Sequence, residues 1–172
     1  TRIGVLKILR AMGADIVEEN RREYGGEPVA DLVVSHAPLS GIEVPVEIVP
    51  DMIDEFPALF IAAACASGQT VVRGAAELRV KESDRLASMA AGLRQLVIQV
   101  DETADGATIH GGVMGGGVVE SHGDHRIAMA FSVAAQCATG AVRIADVANV
   151  ATSFPDYDVR AQRAGFGRFA GA

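Results

Sequence analysis

The feature that most constrains this chain is a repeat. Ala64-Cys65-Ala66-Ser67-Gly68-Gln69-Thr70-Val71-Val72-Arg73 resembles Gln136-Cys137-Ala138-Thr139-Gly140-Ala141-Val142-Arg143-Ile144 at an offset of 72 residues. Each copy reads as an Ala-rich helix, a glycine suited to the left-handed C′ position, and a short β-branched strand. A second repeat is interleaved with it. Leu9-Arg10-Ala11-Met12-Gly13-Ala14-Asp15-Ile16-Val17 resembles Leu93-Arg94-Gln95-Leu96-Val97-Ile98-Gln99-Val100-Asp101, each an amphipathic helix, a turn and an alternating strand. A truncated third copy reads at Gln162-Arg163-Ala164-Gly165-Phe166.

The periodicities predict helix 3–12, strands 14–19, 30–35 and 45–49, helix 52–66, strand 69–74 and helix 82–96. Strands 98–102, 107–110 and 117–121, helix 125–138, strand 141–146 and helix 154–164 follow. The recurring unit is strand, helix, strand, helix, strand, strand. One full copy is flanked by two incomplete ones, with Gly25-Gly26 and the run Gly111 to Gly117 turning the chain between copies. The fold class is therefore α/β (α+β), with helices packed against small sheets. One position conflicts with the pattern. Gly13 stops the first helix, but β-branched Val97 stands at the equivalent stop, where positive φ suits it poorly. Either that turn differs or that position is strained.

Composition agrees with small layers packed closely. There is no Trp and aromatics are 5%, so core volume must come from Ala, Val, Ile, Leu and Met, which let a helix approach a sheet. With 49% hydrophobic and 22% charged residues, disorder and fibrous classes are excluded. A net charge of −7 excludes a basic nucleic-acid footprint or a polybasic membrane patch. No apolar run reaches the roughly 18 residues of a membrane span, and no leader pattern is visible. Cys65 and Cys137 lie in Ala-rich stretches that read as helix, without a cationic neighbour in sequence. They read as inert packing residues of a reducing, cytoplasmic protein, with no disulfide framework. Thr1 to Leu6 run straight into a helical pattern, and the tail Arg160 to Ala172 is only weakly periodic. The chain reads as a segment of a longer protein, the alternative being a small domain with short ends.

Four polar stretches fall at helix starts, where free N–H groups and the positive dipole end suit phosphate or carboxylate. In the first, Asp51 reads as an N-cap with Asp54 three residues on. The second carries Lys81 and Arg85 four apart on one helical face, with Glu82 three before Arg85. Cations beside a carboxylate make an anion site with its own proton-transfer group. The third is Ser121-His122-Gly123-Asp124-His125-Arg126, in which Asp124 caps. The 72-residue offset makes Arg126 the equivalent of Asp54, so one corner of two copies presents opposite charges. In the fourth, Ser153 caps and Pro155 sits in the first turn. Each stretch alone is also readable as an ordinary capped or salt-bridged helix start. His122 and His125 lack clear metal-ligand spacing. Together the set fits a phosphorylated, carboxylated small molecule and acid–base chemistry without a metal or a thiol nucleophile. The glycine run 111–117 lacks the Lys and helix of a nucleotide loop.

Asp54-Glu55-Phe56-Pro57, Arg79-Val80-Lys81-Glu82-Ser83-Asp84-Arg85, Gly123-Asp124-His125-Arg126-Ile127-Ala128-Met129 and Ser153-Phe154-Pro155-Asp156-Tyr157 occur in this order. Taken jointly over about residues 1–157, they resemble the C-terminal part of the 5-enolpyruvylshikimate-3-phosphate synthases (3-phosphoshikimate 1-carboxyvinyltransferases). The resemblance implies a two-lobed enolpyruvyl transferase fold built from such strand-helix units, with residues 1–172 a single domain making most of the C-terminal lobe. It implies transfer of the enolpyruvyl group of phosphoenolpyruvate to the 5-hydroxyl of shikimate 3-phosphate, with release of phosphate and no metal or organic cofactor. Asp54 would bind the ring hydroxyls and act as candidate base for the 5-hydroxyl, and Glu82 would handle the proton at the phosphoenolpyruvate methylene. Arg85 and Arg126 would bind the carboxylate and phosphate of that substrate, with Lys81 and His125 lining the site.

The departures from the family pattern are specific. Thr152 stands where many members carry a Lys that contacts phosphoenolpyruvate, which bears on substrate binding and on glyphosate, the family's inhibitor there. Val97 replaces a usual Gly, and Asp158 a usually apolar residue. Because most contacts to the shikimate phosphate lie in the other lobe, the N-terminal lobe is the expected partner and the segment alone is expected to be weak or inactive. The rivals are the related transferase acting on UDP-N-acetylglucosamine, a non-catalytic anion-binding lobe, and a relative of the RNA-end cyclases. The Lys81–Arg85 and Asp124–Arg126 motifs favour the shikimate enzyme over the first, and the acidic balance argues against the last.

Overall fold

The computed structural model describes residues 3–167. The chain alternates short helices with three small sheets. Helix α1 (Gly4–Ala11) leads into the hairpin β1 (Asp15–Tyr24) and β2 (Glu27–Ser35). An extended stretch then bridges Ser40 to Ser67 and Glu43 to Val71, both in parallel. A 3-10 segment, Val46–Glu55, precedes α2 (Phe56–Cys65) and β3 (Gln69–Val72). A second 3-10 segment, Ala76–Val80, leads to α3 (Arg85–Gln95), β4 (Val100–Thr103) and β5 (Gly106–His110). Strand β6 (Gly117–Glu120), helix α4 (His125–Ala134), strand β7 (Val142–Ala145) and helices α5 (Ala148–Ser153) and α6 (Tyr157–Arg163) complete the order.

The repeating unit is visible in the pairing. The stretch 40–44, α2, β3, α3, β4 and β5 form one full copy, with β3-β5-β4 as an antiparallel sheet. Strands β6 and β7 pair in parallel with α4 as the crossover, as stretch 40–44 and β3 do with α2. Parallel neighbours require such a crossover, and the helix supplies it. Helix α2 is apolar on every side. Phe56, Pro57, Leu59, Phe60, Ile61, Ala63 and Ala64 are all buried, so it forms the centre of the core, packed on α3 and α4. Small residues let these layers close. A Cβ at Gly111 would lie 1.6 Å from the carbonyl oxygen of Ala66, and one at Gly92 would lie 2.3 Å from the Phe131 ring. The β1–β2 hairpin stands apart from this core, with most of its side chains exposed. Its irregularity between Glu19 and Arg22 places Asn20 at φ 51°, a conformation an Asn tolerates. Among the described residues no helix is long and apolar enough to cross a membrane.

Several expected boundaries move. Residues 46–55 form a 3-10 helix, not the strand expected over 45–49; the extended edge lies earlier, at 40–44. Pro45 and Pro50 explain this, since neither donates a ladder hydrogen bond; Pro45 precedes the segment and Pro50 lies inside it, just before the kink at Met52. The helix expected over 52–66 therefore starts only at Phe56, after a kink at Met52. The helix expected over 154–164 starts only at Tyr157, as α6, and an unexpected short helix, α5 over Ala148–Ser153, ends before Phe154-Pro155. The glycine stops also differ. Gly13 does take positive φ, at 102°, just past α1. Gly68 takes it too, but two residues beyond the extended cap Ala66, and Gly140 does not take it at all. Val97 is strained: it holds φ 68° directly after the Leu96 cap, with its side chain exposed. The cysteines are not packed inside. Cys65 ends α2, Cys137 lies past the end of α4, and both are exposed. The tail expected over 160–172 continues as α6 to Arg163, and its residues 168–172, like Thr1 and Arg2, lie outside the described residues.

Candidate active site

Three segments converge on one corner because the start of α2 and the N-termini of α3 and α4 open onto it. Asp54 lies in the last turn of the 3-10 segment immediately before α2. Lys81, Glu82 and Ser83 form the connection into α3, and Arg85 is that helix's first residue. Asp124 precedes α4, whose first turn holds His125 and Arg126.

Asp124 is fully buried and organises the corner. Its Oδ1 accepts from the backbone N–H groups of Arg126 (2.9 Å) and Ile127 (3.4 Å), capping α4 as its sequence position predicts. Its Oδ2 accepts from Arg85 Nε at 2.8 Å and from Ser83 Oγ at 3.1 Å. One carboxylate thus caps a helix and fixes a guanidinium. Burial pushes the Asp124 carboxyl up, but the hydrogen bond and charge of Arg85, with the Arg126 amide and Ser83 hydroxyl, hold it below the usual carboxylate range.

Arg85 is the most deeply buried cation among the described residues, at 1% exposure. A guanidinium taken out of water must be paired, and carboxylates serve it on each edge. Nε meets Asp124, Nη1 lies 3.3 Å from Asp54 Oδ1, and Nη2 lies 2.5 Å from Glu82 Oε2. Lys81 Nζ lies 3.7 Å from the same Asp54 oxygen and is also paired with Glu77. The Glu77 hydrogen bond raises the Lys81 ammonium above its ordinary value against the opposing effect of burial, with Asp54 adding to the rise. Arg126 Nη1 donates to the Asp54 carbonyl oxygen at 2.9 Å. Asp54, Glu77, Glu82 and Asp124 thus surround Lys81 and Arg85, while Arg126 meets a carbonyl oxygen.

The carboxylates differ in exposure. Asp124 is locked by four hydrogen bonds, whereas the Glu82 side chain is 53% exposed. An exposed carboxylate leaves an ion pair at small cost. With Glu82 displaced, Nη2 of Arg85 would be open to another anion while Nε and Nη1 keep Asp124 and Asp54.

The structure brings Asp54, Lys81, Glu82, Arg85 and Arg126 together. His125 is half-buried at the first position of α4, at the same corner. Thr152 is exposed on α5, which packs on α4, and its side chain stays outside the buried cluster. Three expectations fail here. Asp51 does not cap α2, because the helix starts later and Glu55 occupies the cap without a side-chain bond. Ser153 closes α5 instead of capping the next helix, and Pro155 precedes the Asp156 cap of α6, outside its first turn. Lys81 and Arg85 do not share a helical face, since α3 begins at Arg85; they meet on Asp54 through the connection. Three supporting residues were missed. Asp84 caps α3 through Ala87 N–H at 2.9 Å and pairs with Arg79 at 2.8 Å, a role signalled by an Asp just before a periodic apolar run. Glu77 stands four residues before Lys81, a spacing that signals a pair. Nothing in the local pattern points Ser83 at Asp124. Among the described residues no group of three or more His, Cys, Asp or Glu side chains is placed to hold a metal ion.

Comparison with known proteins gives the same direction. Residues 1–160 match the sequence profile of the EPSP synthase (3-phosphoshikimate 1-carboxyvinyltransferase) family. The chain is 72% identical over 166 residues to a 3-phosphoshikimate 1-carboxyvinyltransferase of Xanthomonas oryzae, covering 96% of this chain and 38% of that protein. A protein of the same name from Xylella fastidiosa is also 72% identical over 166 residues, covering 96% of this chain and 37% of its own length. The solved structure of EPSP synthase from Acinetobacter baumannii superposes with a TM-score of 0.93 at 52% identity, covering 96% of this chain and 39% of that one.

Proposed function

The chain belongs to the EPSP synthase family, and we propose that it supplies the phosphoenolpyruvate side of an enolpyruvyl transfer to the 5-hydroxyl of shikimate 3-phosphate, with release of phosphate. The chain spans about 38% of the length of the curated relatives it matches. In this reading residues 1–172 form one domain, most of a C-terminal lobe, and an N-terminal lobe supplies the rest of the acceptor site. The setting is the cytoplasm.

The observation that carries the reading is the convergence of three cations with the part-exposed carboxylates Asp54, Glu77 and Glu82 on one corner, from segments far apart in sequence. Phosphoenolpyruvate is an anion at both ends. Arg85, Arg126 and Lys81 offer fixed positive charge to its carboxylate and phosphate, with His125 lining the pocket. Thr152 adds no charge there. Glu82, released from Arg85, protonates the methylene carbon and later removes a proton from the methyl group so formed. Asp54 accepts the proton of the attacking 5-hydroxyl. Arg85 and Lys81 hold Asp54 in place until that hydroxyl arrives.

Phosphate release from phosphoenolpyruvate and shikimate 3-phosphate tests this. The chain is assayed alone and then mixed with the separately produced N-terminal portion of a close relative. Turnover in the mixture only is expected, with Glu82→Gln abolishing it. Silence in the mixture from a folded chain overturns the reading, and turnover by the chain alone overturns its two-lobe form.

A further inference from the structure

Helices α2 and α4 lead away from the charged corner, and a different site lies at their other ends. A pocket of about 370 Å³ opens there, lined in part by His36, Pro38, Leu39, Met114 and the two cysteines. Cys65 is the last residue of α2, and Cys137 follows the last turn of α4, its N–H donating to the Ala134 carbonyl at 2.9 Å. They are equivalent positions of the 72-residue repeat, and the packing of α2 on α4 brings them to one pocket wall. Both are exposed and neither is in a disulfide. Although the residue as a whole is exposed, desolvation of the sulfur against the pocket wall first, and then the neighbouring Cys137 thiol, push the Cys65 thiol up to about 12. The charged corner uses neither residue.

We propose that Cys65 and Cys137 form an oxidation site, a dithiol that closes to an intramolecular disulfide by exchange with a small-molecule disulfide entering this pocket. Cys137 attacks and Cys65 resolves, and the exchange balances equally with the roles reversed. Cys137 gives its proton to water, and its thiolate attacks one sulfur of the small disulfide. The S–S bond of that molecule breaks, and one small thiolate leaves and takes up a proton. Cys65 then loses its proton to water and attacks Cys137 Sγ, expelling the second small thiol. Two protein thiols are oxidised to one disulfide, and the small disulfide is reduced to two thiols. The product ties together the ends of two helices whose beginnings already meet through Arg126 and Asp54.

The test is incubation of the folded chain with oxidised glutathione, an acid quench, then intact mass and peptide mapping. The expected product has lost two hydrogens, contains a peptide pair joining residues 65 and 137, and returns to the starting mass on reduction. Cys65→Ser should instead retain one glutathione on Cys137, because the resolving thiol is gone. Closure should be slower in urea, where the fold no longer holds the thiols together. A stable glutathione adduct on the unsubstituted chain, a disulfide-linked dimer, two unreacted thiols, or equal rates with and without urea would each overturn the proposal. The reading needs no enzymatic turnover, so it stands or falls separately from the proposed activity.

Discussion

Helices α2 and α4 are two copies of one element, and they differ most where they begin. At the start of α2 stands Asp54, and 72 residues later, at the start of α4, stands Arg126. The two are in direct contact, Arg126 Nη1 on the Asp54 carbonyl at 2.9 Å. At the other ends the copies have stayed alike, and Cys65 and Cys137 share a pocket wall. The difference shows how a repeat yields a functional site. Packing brings equivalent positions together, so one opposite-charge substitution at the shared corner creates a polar cluster. Arg85, from α3 between them, joins the starts of both helices through Asp54 and Asp124.

Breaking the charged corner should have the largest effect. Arg85→Met leaves Asp124 buried with its principal cation gone, and a loss of about 3–5 kcal/mol in urea unfolding is expected. A change below 1 kcal/mol would show that the corner tolerates an uncompensated carboxylate. Asp124→Asn is milder, because the side-chain oxygen still caps α4 while the charge facing Arg85 disappears. A loss of about 1–3 kcal/mol is expected at neutral pH.

That variant also gives a pH signature. The Asp124 carboxyl sits below its ordinary value of 3.8 in the folded chain. Its contribution is therefore complete above 3.8 and is lost as pH falls through the lower folded value. Stability of the unsubstituted chain should fall more steeply than that of Asp124→Asn in this acid window, and parallel curves would remove Asp124 from the account. Arg126→Gln separates the two helix starts while keeping a donor. About 1 kcal/mol of stability should be lost, since the pair is only part-buried. In the complemented enzyme KM for phosphoenolpyruvate should rise, and an unchanged KM would take Arg126 out of the anion site.

The smallest effect sharpens the comparison by making copies alike. Helices α1 and α3 end in equivalent turns, on Gly13 at φ 102° and on Val97 at φ 68°. Val97 is exposed and loses little packing if truncated. Val97→Gly relieves a left-handed β-branched residue and should add about 1 kcal/mol, read as a raised urea midpoint. A lowered midpoint would mean that the unfolded chain's extra freedom outweighs the strain.

Much of this was legible along the chain. The repeats gave the strand-helix units, the Ala-rich runs gave the interior helices, and the position of Asp124 gave a true cap. The motif residues singled out beforehand, Asp54, Lys81, Glu82, Arg85 and Arg126, do share one corner. The failures are equally specific. Asp51 and Ser153 have the chemistry of caps but not the position, because Pro50 and Pro155 move the helix starts past them. Local patterns rank residues by type, and a shift of a few residues turns a cap into a bystander.

The sequence by itself determined the units, their order and which residue types gather at helix starts, because periodicity and capping act over three or four neighbours. Only the tertiary structure decided that Ser83 bonds Asp124, that Glu82 rather than Asp124 is exposed, and that Cys65 lies beside Cys137. Those contacts, apart from the local Glu82–Arg85 pair, join residues 41 and 72 positions apart. No local propensity specifies them; they follow from burying α2 against α3 and α4, which brings distant side chains to the same ends of neighbouring helices.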